Sequence, residues 1–185
     1  MTMLKLCILA LVVLPFSSPS VFAWPNHYDW QIKKATRHYL PMVPWQLYKA
    51  QLIQESWLNP NALSPAGAAG IAQFMPGTWL EVSQQLELQG TPTDARLAIP
   101  AGAYYMAKLR RVWKWPRPEQ DRHNLALACY NAGCGHILKA QQLCGNPSLY
   151  PLIMQCLPQV TGHHAEETRH YVPRIRDLYR RLMYE

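Results

Sequence analysis

Apolar and polar positions along this chain recur at helical spacing. Leu47, Ala50, Ile53 and Trp57 follow one another at intervals of three and four, which predicts a helix entered at Pro44 with a buried stripe along it. Tyr48, Leu52 and Glu55 form the adjoining stripe, so Glu55 falls at the edge of the apolar face near the helix end. Asn59-Pro60 predicts the stop, because a residue before proline avoids the α region. Residues 61–70 are Asn, Ser, Pro, Gly, Ala and one Leu, and read as a loop. Further helices are predicted over about Pro76 to Leu88, Pro100 to Trp113, Glu119 to Tyr130 and Ala165 to Met183. Shorter ones are predicted at His136 to Leu143 and Tyr150 to Leu157. Alternating β-branched runs are missing. The fold class is therefore mostly α, of about six to seven helices, with at most a vestigial hairpin in the 61–70 loop.

The first residues follow another pattern. Lys5 precedes the apolar run Leu6 to Leu14, a breaker-rich stretch follows, and Val21-Phe22-Ala23 offers a cleavage point. The run is too short for a bilayer, which takes about 20 residues. The reading is a cleaved signal peptide over residues 1–23, with export to the periplasm and one domain over residues 24–185. No membrane span is expected in the mature chain. The formal charge of +7 suits an anionic polymer or surface. Much of it sits in Lys108, Arg110, Arg111, Lys114 and Arg117, and in Arg169, Arg174, Arg176, Arg180 and Arg181, which read as solvated helix faces. No aromatic-interleaved basic track points to nucleic acid. Cys129, Cys134, Cys144 and Cys156 lie beyond the leader, an even set that suggests disulfides in an oxidising compartment. Three pairings are open to four cysteines. Zinc held with His136, His163 and His164 is the rival reading, but the spacings match no common zinc pattern. No metal or cofactor is expected.

Candidate chemistry concentrates in three segments. Gln51 to Pro76 carries Glu55 and no other acid, then a small-residue loop, then Gln73 and Met75. Ala128 to Gly135 contains Tyr130-Asn131-Ala132-Gly133, and Glu167 to Val172 contains Glu167 and Tyr171. Glu-Ser with Asn-Pro, Ser-Pro-Ala-Gly-Ala, Gly-Ile-Ala-Gln-Phe-Met-Pro, Tyr-Asn-Ala-Gly and Glu-Thr-x-x-Tyr-Val stand in that order. Together they resemble the catalytic domain of the soluble lytic transglycosylases, over roughly Tyr39 to Leu182. The resemblance implies a lysozyme-like fold acting on peptidoglycan glycan strands. It implies that Glu55 is the catalytic acid/base. It implies that Ser56, Ser64, Gln73, Met75, Tyr130, Asn131, Glu167 and Tyr171 line the sugar groove. Small exported members serve secretion or conjugation machines, which makes such an apparatus an expected partner. The chain departs from the pattern at Ile71-Ala72-Gln73-Phe74, where Leu-Met-Gln is usual. It departs also at Ala98, where Asn is frequent, and at Cys129 and Cys134.

Glycoside cleavage ordinarily takes two carboxylates. With one, the substrate must supply the second function. The muramic N-acetyl group can stabilise the cationic centre, and the sugar's O6 can attack C1 to give a 1,6-anhydro end. Glu55 must then be protonated at working pH, which burial against Met75, Tyr130 and Tyr171 would favour. The competing expectations are a hydrolytic muramidase of the goose-lysozyme type and a non-catalytic wall-binding component.

Overall fold

In the computed structural model of the chain, residues 24–184 are described, so the expected signal peptide lies outside them. The helices are α1 (Asp29–Tyr39), α2 (Trp45–Ser56), α3 (Pro76–Gln85), α4 (Ala95–Val112), α5 (Glu119–Ala132), α6 (Cys134–Leu143), α7 (Tyr150–Cys156), α8 (Pro158–Thr161) and α9 (Ala165–Leu182). A 3-10 turn, Gly162–His164, leads into α9. Single-residue bridges Leu63–Ala69 and Ala69–Phe74 are what remains of a hairpin in the 61–70 loop.

α2 is the central element. Every position from Leu47 to Ile53 is buried, so the helix is covered all round rather than along one stripe. It packs against α9 and α1, α1 packs on α4, and α5 lies against α4, α6 and α9. Lys49 is buried in this wall, and its ammonium is paired with Asp29 at 2.7 Å, in the first turn of α1. A lone buried ammonium there would be costly, which ties the α1 start to α2.

Sequence patterning missed α1, whose buried face is only Ile32, Ala35 and Thr36. It also started α4 too late. Asp94 caps that helix by accepting from the Arg96 amide at 2.9 Å, and Pro100 sits inside it. Trp57 does not belong to the buried stripe. It is 68% exposed and closes α2 in the left-handed region at φ 57°, its ring against Trp24. Leu58 is left-handed as well, so α2 ends three residues before Asn59.

Five of the ten cations in the two clusters have a carboxylate partner among the described residues. Lys108 pairs with Glu81, Arg110 and Arg122 with Glu119, Arg169 with Glu166, and Arg180 and Arg181 with Asp177. Such exposed pairs contribute little stability each, about 0–1 kcal/mol.

The loop after α2 is fixed by backbone contacts. The Gly70 amide donates to Ala62 O at 2.9 Å, and Ala69 and Phe74 exchange amide–carbonyl bonds at 3.0 and 2.9 Å. Gly70 has φ +81°, and a Cβ there would lie 1.8 Å from Pro92 O. Gly70→Ala is therefore expected to destabilise the fold by about 2–4 kcal/mol, read from denaturant midpoints at unchanged slope.

Candidate active site

Glu55 lies in the last turn of α2, one residue before the helix ends. The residue is partly buried, and its carboxyl lies among phenols. The Tyr171 hydroxyl, from α9, donates to Glu55 Oε1. Tyr48 and Tyr130 are within electrostatic reach, since the Glu55 charge helps push both phenols up. Burial raises the Glu55 pKa from 4.5 to about 8. The Tyr171 hydrogen bond acts against that rise, and the negative charge of Glu167 adds to it. At neutral pH the carboxyl is thus mostly protonated and can give up a proton.

The other residues fall into three groups. Tyr130, Asn131, Glu167 and Tyr171 gather beside Glu55 from the end of α5 and the start of α9. Tyr130 donates to Ala72 O at 2.6 Å, binding α5 to the loop that follows α2. Asn131 Nδ2 donates to Glu167 Oε1 at 2.9 Å, and its Oδ1 accepts from Thr168 Oγ1 at 2.7 Å. Asn131 is therefore a bridge between α5 and α9; the C-terminal cap of α5 is Gly133. Disulfides join Cys129 to Cys134 and Cys144 to Cys156. The first brackets Tyr130 and Asn131 and fixes the turn from α5 into α6.

Gln73 and Met75 stand on the loop's return side. Gln73 is itself left-handed at φ 48°, and its Nε2 donates to Ala62 O and Gly70 O at 3.2 and 3.0 Å. Its amide braces the loop while the residue stays partly exposed. Met75 caps the start of α3 and is 45% exposed, a flexible apolar surface.

Two residues work from behind the groove. Ser56 is 7% exposed, and its hydroxyl donates to Leu52 O and Ile71 O at 3.3 and 2.8 Å. That position ties the helix to the loop and leaves no hydroxyl proton for a sugar, in contrast to the groove-lining role the resemblance implies. Ser64 Oγ accepts from the Ala68 amide at 2.9 Å and shapes the loop tip. Tyr105, which patterning did not single out, packs between Phe74 and Tyr130 with tilted rings at centroid distances of 6.3 and 5.4 Å and extends the aromatic wall. Nothing in its helical position distinguishes it in the sequence.

Residues 31–150 match the model of the transglycosylase SLT domain. The match stops short of Glu167 and Tyr171, which the fold brings back to Glu55. The membrane-bound lytic murein transglycosylase F of Shewanella sediminis is 31% identical over 167 residues, covering 82% of this chain and 34% of that protein. The protein of the same description from Actinobacillus pleuropneumoniae is 34% identical over 131 residues, covering 69% and 25%. The crystal structure of the 70 kDa soluble lytic transglycosylase of Escherichia coli superposes with a TM-score of 0.67 at 25% identity, over 87% of this chain and 25% of that one. The chain thus spans about a third or less of the length of these relatives. The family model spans Glu55 and its loop and matches well more than half of the sequence: the chain belongs to the transglycosylase SLT domain family.

Proposed function

We propose that the chain is a peptidoglycan lytic transglycosylase, exported to the periplasm behind a cleaved signal at residues 1–23. The observation that carries the reading is a carboxyl held protonated to about pH 8 beside a tyrosine hydroxyl, at the edge of a small-residue loop. Glu55 gives its proton to the oxygen of the β-1,4 bond between N-acetylmuramic acid and N-acetylglucosamine, and the C1–O bond breaks. The muramic N-acetyl oxygen closes on C1. The O6 hydroxyl then displaces it and returns a proton to Glu55. No water is consumed, and the product is a 1,6-anhydromuramic end.

Glu167 is the nearest rival for a second carboxylate. It is exposed, its Oε1 accepts from Asn131, and its charge acts on Glu55 by raising its pKa. That supports a groove-lining and electrostatic role for it. Met75, Gln73, Tyr130 and Asn131 form the sugar-facing rim on this reading. A secretion or conjugation machine as the setting rests on the family resemblance alone.

Mass spectrometry of digested sacculi tests the reading. Muropeptides lighter by one water are the expected product. Reducing muramic ends would make the chain a hydrolase and sink the intramolecular step.

A further inference from the structure

We infer that Thr168 is a positioning residue: its hydroxyl anchors the Asn131 side-chain amide from the buried side, and the anchored amide holds the Glu167 carboxylate beside Glu55. Thr168 lies near the start of α9 and is 2% exposed. A threonine in a helix commonly gives its proton to the carbonyl four residues back. Thr36 does so to Ile32 O at 2.8 Å, and Thr161 to Leu157 O at 3.3 Å. Thr168 instead donates across 37 positions, to Asn131 Oδ1 at 2.7 Å on α5. Asn131 Nδ2 then donates to Glu167 Oε1 at 2.9 Å.

One amide thus joins two successive residues of α9, and the order of burial decides which of them is the anchor. Thr168 is buried, Asn131 is half-buried and Glu167 is exposed. An amide presents its oxygen on one side and its N–H groups on the other. With Oδ1 on the Thr168 proton, Nδ2 faces the carboxylate. Turned over, Oδ1 would meet Glu167 oxygen against oxygen. Without the hydroxyl, Oδ1 loses its donor, and the amide is free to leave Glu167 for another partner.

Glu167 and Tyr171 are four residues apart on α9 and share a face. The Tyr171 hydroxyl donates to Glu55 Oε1, which places the held carboxylate next to the acid. The titratable groups facing Glu55 are Tyr48 on α2, Tyr130 on α5, and Tyr171 and Glu167 on α9. Of these, Glu167 is the one whose negative charge raises the Glu55 pKa. Letting it swing into solvent weakens that effect, and Glu55 then titrates at lower pH. The anchored carboxylate widens the pH range over which Glu55 keeps its proton.

The use of that proton rests on the lyase reading, but the test does not. Carbon-13 NMR titration of the Glu55 carboxyl in the full chain needs no substrate. It is run on wild type, Thr168→Val, Thr168→Ser, Glu167→Gln and the Thr168→Val/Glu167→Gln double variant, with thermal unfolding to verify folding. Valine keeps the shape and lacks the hydroxyl. Thr168→Val is expected to move the Glu55 midpoint down by about 0.3–1 unit, and no further than Glu167→Gln does. It should add nothing in the Glu167→Gln background, because Thr168 acts through that carboxylate. Thr168→Ser keeps the donor and should titrate as wild type. Should Thr168→Val fail to fold, Thr168→Ala, also without the hydroxyl, carries the same expectation. An unmoved midpoint overturns the inference. So does a serine variant that shifts as far as the valine one, which would make packing of the methyl the cause, or an equal shift in the Glu167→Gln background. Failure of the lyase reading would appear instead in the muropeptide masses.

Discussion

Glu55→Gln lowers turnover on sacculi by about 10³-fold and yields a protein that is more stable than wild type at neutral pH. The loss follows because glutamine keeps the shape and accepts from Tyr171 but has no proton to give to the glycosidic oxygen. The gain follows from linkage. The folded pKa of about 8 stands above the unfolded value near 4.5, so folding favours the protonated form. That contribution is fully present below about pH 4.5 and is lost as pH rises through 8. Glutamine never ionises, so the variant should gain about 2–3 kcal/mol over wild type at pH 7 and nothing near pH 4. Turnover by dye release from sacculi and denaturant midpoints at the two pH values measure both arms. A variant that retains activity removes Glu55 as the acid. A variant no more stable at pH 7 means the carboxyl is not held neutral.

Element type was legible wherever apolar periodicity was strong, and boundaries failed where one residue overrode it. α1 was invisible because its buried face is three residues wide and its stability comes from packing on α4 and from the Asp29–Lys49 pair. Pro100 looked like a helix start, but Asp94 already supplied the cap, and the proline is accommodated one turn inside. Trp57 fitted the stripe by spacing, yet α2 ends at Ser56 and the left-handed backbone turns the ring outward. No periodicity argument anticipates two consecutive left-handed residues that are not glycine.

At the site, motifs named the residues, and only the fold assigned their work. Glu55 and Tyr171 are 116 positions apart, and their contact depends on how α9 lies along α2. Ser56 sits next to Glu55 in sequence, but one residue along a helix is a turn of 100° away from the groove, and its hydroxyl ends on Ile71 O. The departure Ile71-Ala72 is explained the same way. Both residues are fully buried, and Ala72 serves through its carbonyl, which receives the Tyr130 hydroxyl, so its side chain never meets the glycan. Tyr105 carried no motif at all.

Wild-type kcat/KM should be level from about pH 5 to 7, half-maximal near pH 8, and tenfold lower for each unit beyond. The sign is set by the form that acts. Glu55 begins the cycle protonated, so activity is present below its folded pKa and disappears above it. A hydrolase with two carboxylates needs one protonated and one ionised group, and its profile is a bell with an acid limb in the carboxylate range. An intramolecular lyase needs Glu55 ionised only after it has given its proton away within the cycle, so no acid limb arises from a second carboxylate. Glu167→Gln separates the two cases further. As an electrostatic neighbour, Glu167 raises the Glu55 pKa, and removing its charge should draw the alkaline limb to lower pH while turnover at pH 6 changes little. As a nucleophile or base, its loss would cost about 10²-fold or more at every pH. A bell-shaped wild-type profile together with that uniform loss would replace the single-acid mechanism with a two-carboxylate one.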